Sequence, residues 1–406
     1  MVSYRKVSKE DREDFKDMLH YAFQPHKREQ DHRDDKNYWS RIGSPRGIYR
    51  GDDLLAVSSI HQFESLLRGS WLPGSGVTAV ATPPENRHRG YIKTIMREIL
   101  GELKQKDVLV SYLWPFLYPF YDKLGWRVCD RYTLYELEPE NLKFAAETGS
   151  GNFRRVKGED YEDIVSTYRN FIRDFNLPIR RSSDWWKYQL LSPWHRTAYC
   201  YLWEKKGKVK GYTIYSVEKG KEGEWKKKLE VQEIIYESPE AYFQLLRFLY
   251  NHGSQMSKII LPSPLPEGLS LLDLVEDPRE IEAREKPGIM VRCVDVKATL
   301  EALSYRDKPE GELLMTVRDP LIDANDGKYR VVFNGSSSPP EITRTNLGSM
   351  QSDLELAIGS LTQLCTGYMS PREAVVAGKV SLKNEDKLSL LEKIFPGKDT
   401  FFLDGF

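Results

Sequence analysis

One stretch of the sequence, residues 76–103, constrains the fold more than any other. An apolar, β-branched run at residues 77–82 is stopped by Pro83 and Pro84 and is followed by a short basic loop. Gly90 opens the next segment, where apolar residues recur at the three-and-four spacing that buries one helix face. A glycine lets the backbone approach a ligand closely, and the free N–H groups of a first helical turn favour an anion. The stretch therefore predicts a strand, an anion-binding loop and an amphipathic helix.

The basic loop could hold one of two kinds of phosphate ligand. A dinucleotide-binding loop needs three spaced glycines and a P-loop needs Gly-Lys-Ser/Thr, and this stretch has neither pattern. The remaining interpretation is a loop for the pyrophosphate of an acyl-coenzyme A. Arg87-x-x-Gly90-x-Ile92 after a strand resembles the Arg/Gln-x-x-Gly-x-Gly/Ala signature of GCN5-related N-acetyltransferases (GNATs), although Ile92 departs from it. An ordinary strand-to-helix turn with solvated arginines is the alternative that the loop alone leaves open.

Length and composition set the wider frame. The 406 residues are enough for two or three domains, each with its own core. The 60 basic and 60 acidic residues balance, so a nucleic-acid partner is not indicated. The four cysteines are widely separated, which indicates neither disulfides nor a metal site. Because no apolar signal region or bilayer-spanning run is present, we expect a soluble, cytoplasmic protein without a membrane partner.

The segment beyond the helix favours the acetyltransferase interpretation. Residues 108–113 are a predicted buried strand, and aromatic residues surround a short helix within residues 115–126. In the GNAT fold the strand after the cofactor helix splays away from the cofactor strand, and a tyrosine on the next short helix lies near the acyl sulfur. Tyr121 has that position, where a phenol can give a proton to the departing thiolate. Tyr118 and Tyr121 could instead be amphipathic core aromatics.

A polar segment separates the first predicted helix from the strands of a meander. It contains Asp31 and Asp35 shortly before Trp39. A solvated helix or loop is one interpretation of it. Acidic side chains beside an aromatic ring would also suit a cationic substrate.

The order of helix, meander, strand, helix and strand repeats in the middle of the chain. In this repeat Glu-Ser-Pro-Glu-Ala replaces the glycine-containing basic loop. Glu237 and Glu240 would repel a pyrophosphate, so we expect this copy not to bind a cofactor. Residues 262–287, rich in Pro, Glu and Asp, indicate a linker. A third pattern then begins with a strand in IMVRCVDV.

The order of the parts resembles one family closely. The C-terminal part contains MVRCVDV, VRDPLIDANDGKYR, RTNLGSMQSDLELAIGSLTQLCTGY and a last Phe. Together with the two acetyltransferase patterns, it is similar over essentially the whole chain to the enhanced intracellular survival (Eis) family. The resemblance implies an α+β fold (α/β of GNAT type). It would comprise a catalytic GNAT domain at residues 1–138, a degenerate GNAT-like domain at 150–287 and a sterol-carrier-protein-like α/β domain at 288–406.

The resemblance also implies an activity. The family acetylates amines with acetyl-CoA, including aminoglycosides and other polyamines, by direct transfer in a ternary complex without a metal. It assembles as a homohexamer, either a trimer of dimers or a dimer of trimers. The alternative function is a non-catalytic scaffold that holds an acyl-CoA or, in its C-terminal domain, a lipid. A carrier, however, has no need for both Tyr121 and the basic loop.

Carried onto this sequence, the resemblance implies roles for individual residues. Tyr121 would be the general acid, and the α-carboxylate of Phe406 would accept the proton of the attacking ammonium. A backbone N–H of the cofactor strand would stabilise the charge that develops on the thioester oxygen. The residues expected to hold acetyl-CoA are Val80, Ala81, Thr82, His88, Arg89, Gly90, Tyr91, Ile92, Lys93, Phe116 and Leu117. Those expected at the amine are Asp31, Asp35, Trp39 and Asp404.

The assignment of Phe406 as base meets a physical difficulty. A free α-carboxylate with a pKa of about 3.5 is a weak base for an amine, so it needs desolvation or a relaying water. It could instead anchor a cationic substrate electrostatically. The histidines His20, His26 and His61 are other candidate bases, for which surface or core roles are the alternative.

Overall fold

The computed structural model describes residues 2–23, 39, 41–145, 149–156, 161–191, 197–218, 227–264, 268–345 and 351–406. Within these residues the chain forms mixed sheets of seven, seven and five strands with helices packed on them. Among the described helices, none combines the length and apolar character needed to cross a bilayer.

The first sheet has the topology of one acetyltransferase unit. Its strands are β1 (Ser3–Lys6), β2 (Ser44–Arg50), β3 (Asp53–Leu67), β4 (Ser70–Ala81), β5 (Val110–Leu113), β6 (Arg127–Val128) and β14 (Met290–Cys293). Its helices are α1 (Arg12–Phe23), α2 (Tyr91–Gln105) and α3 (Tyr118–Asp122). The strand order is β1-β2-β3-β4-β5-β14-β6, in which only β4 and β5 are parallel. As its spacing predicts, α2 buries Ile95, Ile99 and Leu103.

The second sheet repeats this arrangement. Its strands are β7 (Arg131–Leu137), β8 (Asn152–Val156), β9 (Tyr199–Lys205), β10 (Lys208–Glu218), β11 (Lys227–Tyr236), β12 (Met256–Pro262) and β13 (Glu282–Pro287). Two α-helices, α4 (Glu162–Ile172) and α5 (Pro239–Tyr250), and a π-helical segment (Trp185–Leu191) accompany it. The order is β8-β9-β10-β11-β12-β7-β13, and the parallel pair is again the fourth and fifth strands, β11 and β12.

The two sheets exchange strands, each of which lies one position in from the edge of the sheet that it joins. The strand β14, which we expected to open the third domain, lies between β5 and β6 in the first sheet. The strand β7, expected to complete the first domain, pairs with β12 and β13 in the second sheet. Residues 282–287, expected to be part of a linker, are the edge strand β13. Hydrogen bonding at the sheet edge decides which sheet a strand joins, so the sheets are not divided at residues 138 and 287.

The third domain packs a five-stranded sheet around a central helix. Its strands are β15 (Glu310–Arg318), β16 (Gly327–Asn334), β17 (Glu341–Thr345), β18 (Leu354–Ala357) and β19 (Val380–Leu382). Its helices are α6 (Val296–Ala302), α7 (Ile358–Thr366), α8 (Pro371–Val376) and α9 (Leu388–Ile394). Every residue of α7 is buried. This helix docks on the first sheet, because Cys293 N–H donates to Thr362 Oγ1 (2.9 Å) and Gln363 Nε2 donates to Val128 O (2.8 Å).

The segment after α9, residues 395–406, is here called the tail, and it is held by all three domains. The buried Asn176 pairs with it on both sides: Asn176 N–H donates to Asp399 O (2.9 Å) and Phe401 N–H donates to Asn176 O (3.0 Å). The Asn176 side chain also accepts from Arg68 N–H (2.7 Å) and donates to Thr366 O (2.7 Å). One buried residue of the second domain therefore contacts the first domain, helix α7 of the third domain and the tail.

Asp130 gives the docking of the tail a dependence on pH. Its buried carboxylate accepts a hydrogen bond from Thr400 Oγ1 (2.8 Å). Burial raises the pKa of Asp130 from its ordinary value of 3.8 to about 7. Folding therefore disfavours the ionised form, and the stability of the fold decreases as the pH rises from about 4 to about 7.

We predict that Asp130→Asn removes this loss. The free energy of unfolding of the variant, relative to wild type, should rise by about 3 kcal/mol between pH 5 and pH 8, because only the wild-type carboxyl must ionise. Urea denaturation at both pH values measures this difference, with the exposed Asp52→Asn as a charge control. Equal changes in the stability of wild type and Asp130→Asn would contradict the prediction.

Candidate active site

The site is built where β4 and β5 part. Their parallel pairing stops at Gly76 and Tyr112. Just beyond, the register of β4 against β3 shifts between Thr78 and Ala81, and Ala79 adopts a φ of +54°. A β-bulge of this kind bends its strand and increases its twist. The result is a gap between the ends of β4 and β5, as the resemblance to the GNAT fold implies. The local sequence did not predict the bulge, because alanine rarely adopts positive φ.

An open groove of about 880 Å³ lies along the end of β4 and the start of α2. Gly90 is the N-cap of α2 with a φ of +80°, and a Cβ there would meet no atom within 4 Å. No side chain of the described residues caps this helix, so its first N–H groups face the groove without a partner inside the helix. With the exposed Arg89 and Lys93 beside them, they form an anion site.

The groove brings together all but one of the residues expected to hold a cofactor. It is lined by Val80, Ala81, Thr82, His88, Arg89, Gly90, Tyr91, Ile92, Lys93 and Phe116, among others. Leu117 does not line it and is half-exposed at the start of α3.

A second cavity of about 630 Å³, here called the acceptor cavity, adjoins the groove. Phe23, Val80 and Phe116 line both spaces, so the two meet at these residues. Much of its described wall is apolar, including Leu19, Phe23, Ile42, Val77, Ala79, Val80, Trp114, Phe116, Leu190 and Leu403. A small reacting group at this junction would be close to ligands in both spaces.

Tyr121 lines the acceptor cavity from α3. Its ring is held edge-on by Phe120 at 5.1 Å and Phe116 at 5.6 Å between centroids, and its side chain is buried. Burial raises the pKa of the Tyr121 phenol. The hydroxyl therefore keeps its proton at neutral pH and can act as a proton donor.

The tail brings Phe406 into the gap between β4 and β5. Its ring lies so close to Gly76 that a Cβ on this glycine would be 2.6 Å from it. The main-chain oxygen of Phe406 accepts a hydrogen bond from Thr78 Oγ1 (2.9 Å). Phe406 therefore lines the acceptor cavity together with Tyr121, although 285 residues separate them in the sequence.

Asp404 does not line the acceptor cavity. Its buried carboxylate accepts hydrogen bonds from Arg181 Nε (2.8 Å) and Trp185 Nε1 (2.7 Å). The expected contact between Asp404 and an amine is therefore replaced by contacts that hold the tail. Arg181, Trp185 and Thr78 were missed by the sequence analysis, because no local pattern links them to a segment more than 200 residues away.

The other predicted contacts with the amine and the candidate bases are dispersed. Asp31, Asp35 and His26 lie outside the described residues. Trp39 packs on Phe15, with ring centroids 5.7 Å apart, and is not among the residues that line the acceptor cavity. His20 lines the cavity. Burial lowers the pKa of His61 to about 4, so its imidazole beside Phe406 is neutral at neutral pH.

The second unit lacks an equivalent anion site among its described residues. Ser238 Oγ caps α5 by accepting from Ala241 N–H (3.2 Å), and Glu237 pairs with Lys210 (2.7 Å) at the same helix start. The N-terminus of α2 has no side-chain cap, whereas the N-terminus of α5 is capped by Ser238 and flanked by Glu237. These features disfavour a phosphate there, in agreement with the expectation from Glu237 and Glu240.

Comparisons with known proteins identify the class. Residues 3–129 and 177–293 each match a family described as an acetyltransferase (GNAT) domain, and residues 296–403 match the sterol carrier protein domain. GNAT domains thus make up most of the chain, and the chain is an acyltransferase of the GNAT class. Enzymes of this class use acetyl-CoA.

Individual relatives match most or all of the chain. An uncharacterized N-acetyltransferase from Streptomyces avermitilis is 24% identical over 345 residues, which are 82% of each chain. A GCN5-related N-acetyltransferase from Anabaena variabilis superposes over both whole chains with a TM-score of 0.85 and 24% identity. Eis1 from Mycobacterium abscessus does so with a TM-score of 0.76 and 19% identity. The resemblance to the Eis family is therefore confirmed in the fold.

We predict that Gly90→Val weakens coenzyme A binding by about tenfold or more, because its side chain would occupy the open face of the groove. Gly207→Val is a matched control. Gly207 also has positive φ (+71°) and open space around a Cβ, but it lies in the β9–β10 hairpin. Both variants should lose about 1–2 kcal/mol of stability from backbone strain. Calorimetric titration with coenzyme A checks the prediction, and equal affinities of the two variants would contradict it.

Proposed function

We propose that the protein transfers the acetyl group of acetyl-CoA to a primary amine by direct transfer in a ternary complex. The observation that carries this proposal is the junction of the anion-binding groove with the acceptor cavity at Val80 and Phe116. Two substrates held on either side of this junction would have their reacting atoms close together, as direct transfer requires. From the resemblance to the Eis family we also propose a homohexameric assembly.

The residues of the groove fit the shape and charge of acetyl-CoA. The free N–H groups at the start of α2, with His88, Arg89 and Lys93, would hold the pyrophosphate. The end of β4 would pair along the pantetheine arm, since its pairing with β5 stops at Gly76. Phe116 would line the acyl end. When bound, acetyl-CoA supplies an activated thioester, and the chain supplies the orientation and the proton transfers.

Three groups at the gap have the chemistry that acetyl transfer needs. The backbone N–H of Val80, beyond the bulge, would stabilise negative charge on the thioester oxygen. The Tyr121 hydroxyl would protonate the leaving thiolate. The α-carboxylate of Phe406 would take a proton from the substrate ammonium, and the neutral amine would then attack the thioester carbon. The ring of Phe406 packs against those of His61 and Trp185, with centroids 5.9 and 6.2 Å apart, and these contacts hold the residue in the gap.

For the acceptor we propose an aminoglycoside-like or other polyamine, as the resemblance implies. A specific observation favours a second candidate, a primary amine with an apolar body. The described walls of the acceptor cavity carry the rings of Phe23, Trp114 and Phe116. The carboxylate of Glu233, which also lines this cavity, is engaged by Arg181 (3.0 Å) and Tyr212 (2.6 Å). Walls of this composition gain more from burying an aromatic group than from holding several cations.

We predict release of coenzyme A thiol from acetyl-CoA that depends on the added amine. Kanamycin, tobramycin and spermidine test the polyamine acceptor, and 2-phenylethylamine tests the apolar one. The ratio of their kcat/KM values decides between the two acceptor classes. Initial rates with both substrates varied should give intersecting double-reciprocal lines. Parallel lines would rule out direct transfer, and a protein that binds coenzyme A but releases no thiol with any amine would contradict the proposed function.

We predict that Tyr121→Phe lowers kcat by about a hundredfold or more while coenzyme A binding is unchanged, because the phenol proton is lost. Tyr118→Phe is the matched control, since its hydroxyl donates to Pro287 O (3.0 Å) outside the acceptor cavity.

Deletion of Phe406, or one glycine added after it, should nearly abolish turnover because either change removes the carboxylate from the gap. Retained turnover in both tail variants would refute the role of this carboxylate as the base.

A further inference from the structure

The tail reaches the first domain through a buried ion cluster that belongs largely to the second domain. Here the Arg181 cluster means Arg181, Glu233, Tyr212, Trp185 and Asp404. The Arg181 guanidinium binds Asp404 through Nε (2.8 Å) and Nη2 (3.1 Å), and it binds Glu233 through Nη1 (3.0 Å) and Nη2. The side chains of Arg181, Glu233 and Asp404 are at most 2% exposed. Four of the five members come from the second domain, and only Asp404 comes from the tail.

The remaining polar atoms of the cluster are also used. Tyr212 donates to Glu233 Oε1 (2.6 Å), and Trp185 Nε1 donates to Asp404 Oδ1 (2.7 Å). The guanidinium stacks on the rings of Tyr168 at 3.8 Å and Trp186 at 4.7 Å. A buried charge is tolerated only when its hydrogen-bonding groups are satisfied in this way. Asp404 therefore has one well-defined position.

The position of Asp404 restricts where Phe406 can lie. Asp404 precedes Phe406 by two residues, a reach of at most about 7 Å. Trp114 Nε1 of the first domain donates to Asp404 O (2.8 Å), which holds the same residue from the opposite side. Between Asp404 and Phe406 only Gly405 remains to absorb movement. A displacement of Asp404 by more than this link can absorb would therefore move the Phe406 carboxylate.

We propose that Arg181 is a positioning residue for the reaction. The second GNAT domain, whose own helix start is unsuited to a phosphate, holds the tail through Arg181 and Asp404 so that Phe406 lies beside Thr78 in the gap. This inference rests on the proposed function of the Phe406 carboxylate. It assigns the second domain a part in catalysis at a distance from the acetyl-CoA groove, and it explains why an acid two residues before Phe406 is buried rather than exposed to substrate.

The test uses the full chain with Asp404→Asn, which loosens the tail but leaves the Arg181–Glu233 pair in the second domain. Asp399→Asn is the matched control, because Asp399 is an exposed acid in the same tail. We expect Asp404→Asn to lower kcat by at least about tenfold while the coenzyme A Kd changes by less than about twofold. Hydrogen exchange of tail amides should accelerate by about tenfold or more, with no such change in α2.

A second variant guards against misfolding. Arg181→Lys keeps the buried charge but cannot bind two carboxylates with a planar fork. It should show the same separation of kcat from coenzyme A affinity. Thermal unfolding is measured for every variant. If turnover falls only in proportion to the loss of folded protein, Arg181 has a structural role and the proposal is overturned. An unchanged rate of hydrogen exchange of the tail amides in Asp404→Asn would also overturn it.

The outcomes also separate this inference from the proposed function. A wild-type protein without turnover on any amine would contradict the proposed function. In that case only hydrogen exchange of the tail amides tests the inference. Faster exchange in Asp404→Asn than in wild type supports anchoring of the tail by Asp404, and equal exchange refutes it. If the wild type is active and Asp404→Asn has faster tail exchange but an unchanged kcat, the positioning role of Arg181 is overturned. The acetyltransferase function is not affected by that outcome.

Discussion

The guanidinium of Arg181 is the group on which the geometry of the site depends most. It holds two carboxylates, one from β11 of the second sheet and one from the tail of the third domain, and it does so away from water. Loss of Arg181 would leave two buried carboxylates without a counter-charge, at a cost of about 3–5 kcal/mol, whereas loss of Asp404 leaves Arg181 paired with Glu233. Through this cluster the tail is docked on the second domain. The acceptor cavity has its described wall only in the docked state, because Leu403, Gly405 and Phe406 are part of that wall.

The gap between β4 and β5 is the second constraint, and it results from two departures from regular structure. The β-bulge at Ala79 bends β4 outward, and Gly76 leaves room for an aromatic ring where the strands still touch. A regular, continuously paired sheet would have no space there for the tail or for a substrate. The pairing of β4 with β5 thus stops where the chemistry is proposed, while β4 stays paired with the long strand β3 up to Ala81.

The sequence was informative where function depends on neighbours along the chain. The open helix start at Gly90 and its lining of the groove followed from one strand, one loop and one helical repeat. The place of Tyr121 was predicted from the short helix after β5 together with the resemblance to the GNAT fold. The sequence was uninformative where pairing joins distant segments. The partners of Asp404, the bulge at Ala79 and the sheet that β14 joins are each decided by contacts over long separations, which no composition or periodicity encodes. The tandem domain order was recoverable from motifs, but the interlocking of the domains was not.

The exchanged strands have a consequence for how the chain is made. The first sheet lacks the strand between β5 and β6 until residue 293 has been synthesised, which is after all the strands of the second sheet have been synthesised. On the ribosome the N-terminal unit must therefore wait, with the edges of β5 and β6 uncovered, while the whole second unit is translated. Unpaired strand edges of this kind can pair with strands of other chains. Shortened forms of the chain that end before residue 293 should therefore depend on chaperones to stay soluble in cells.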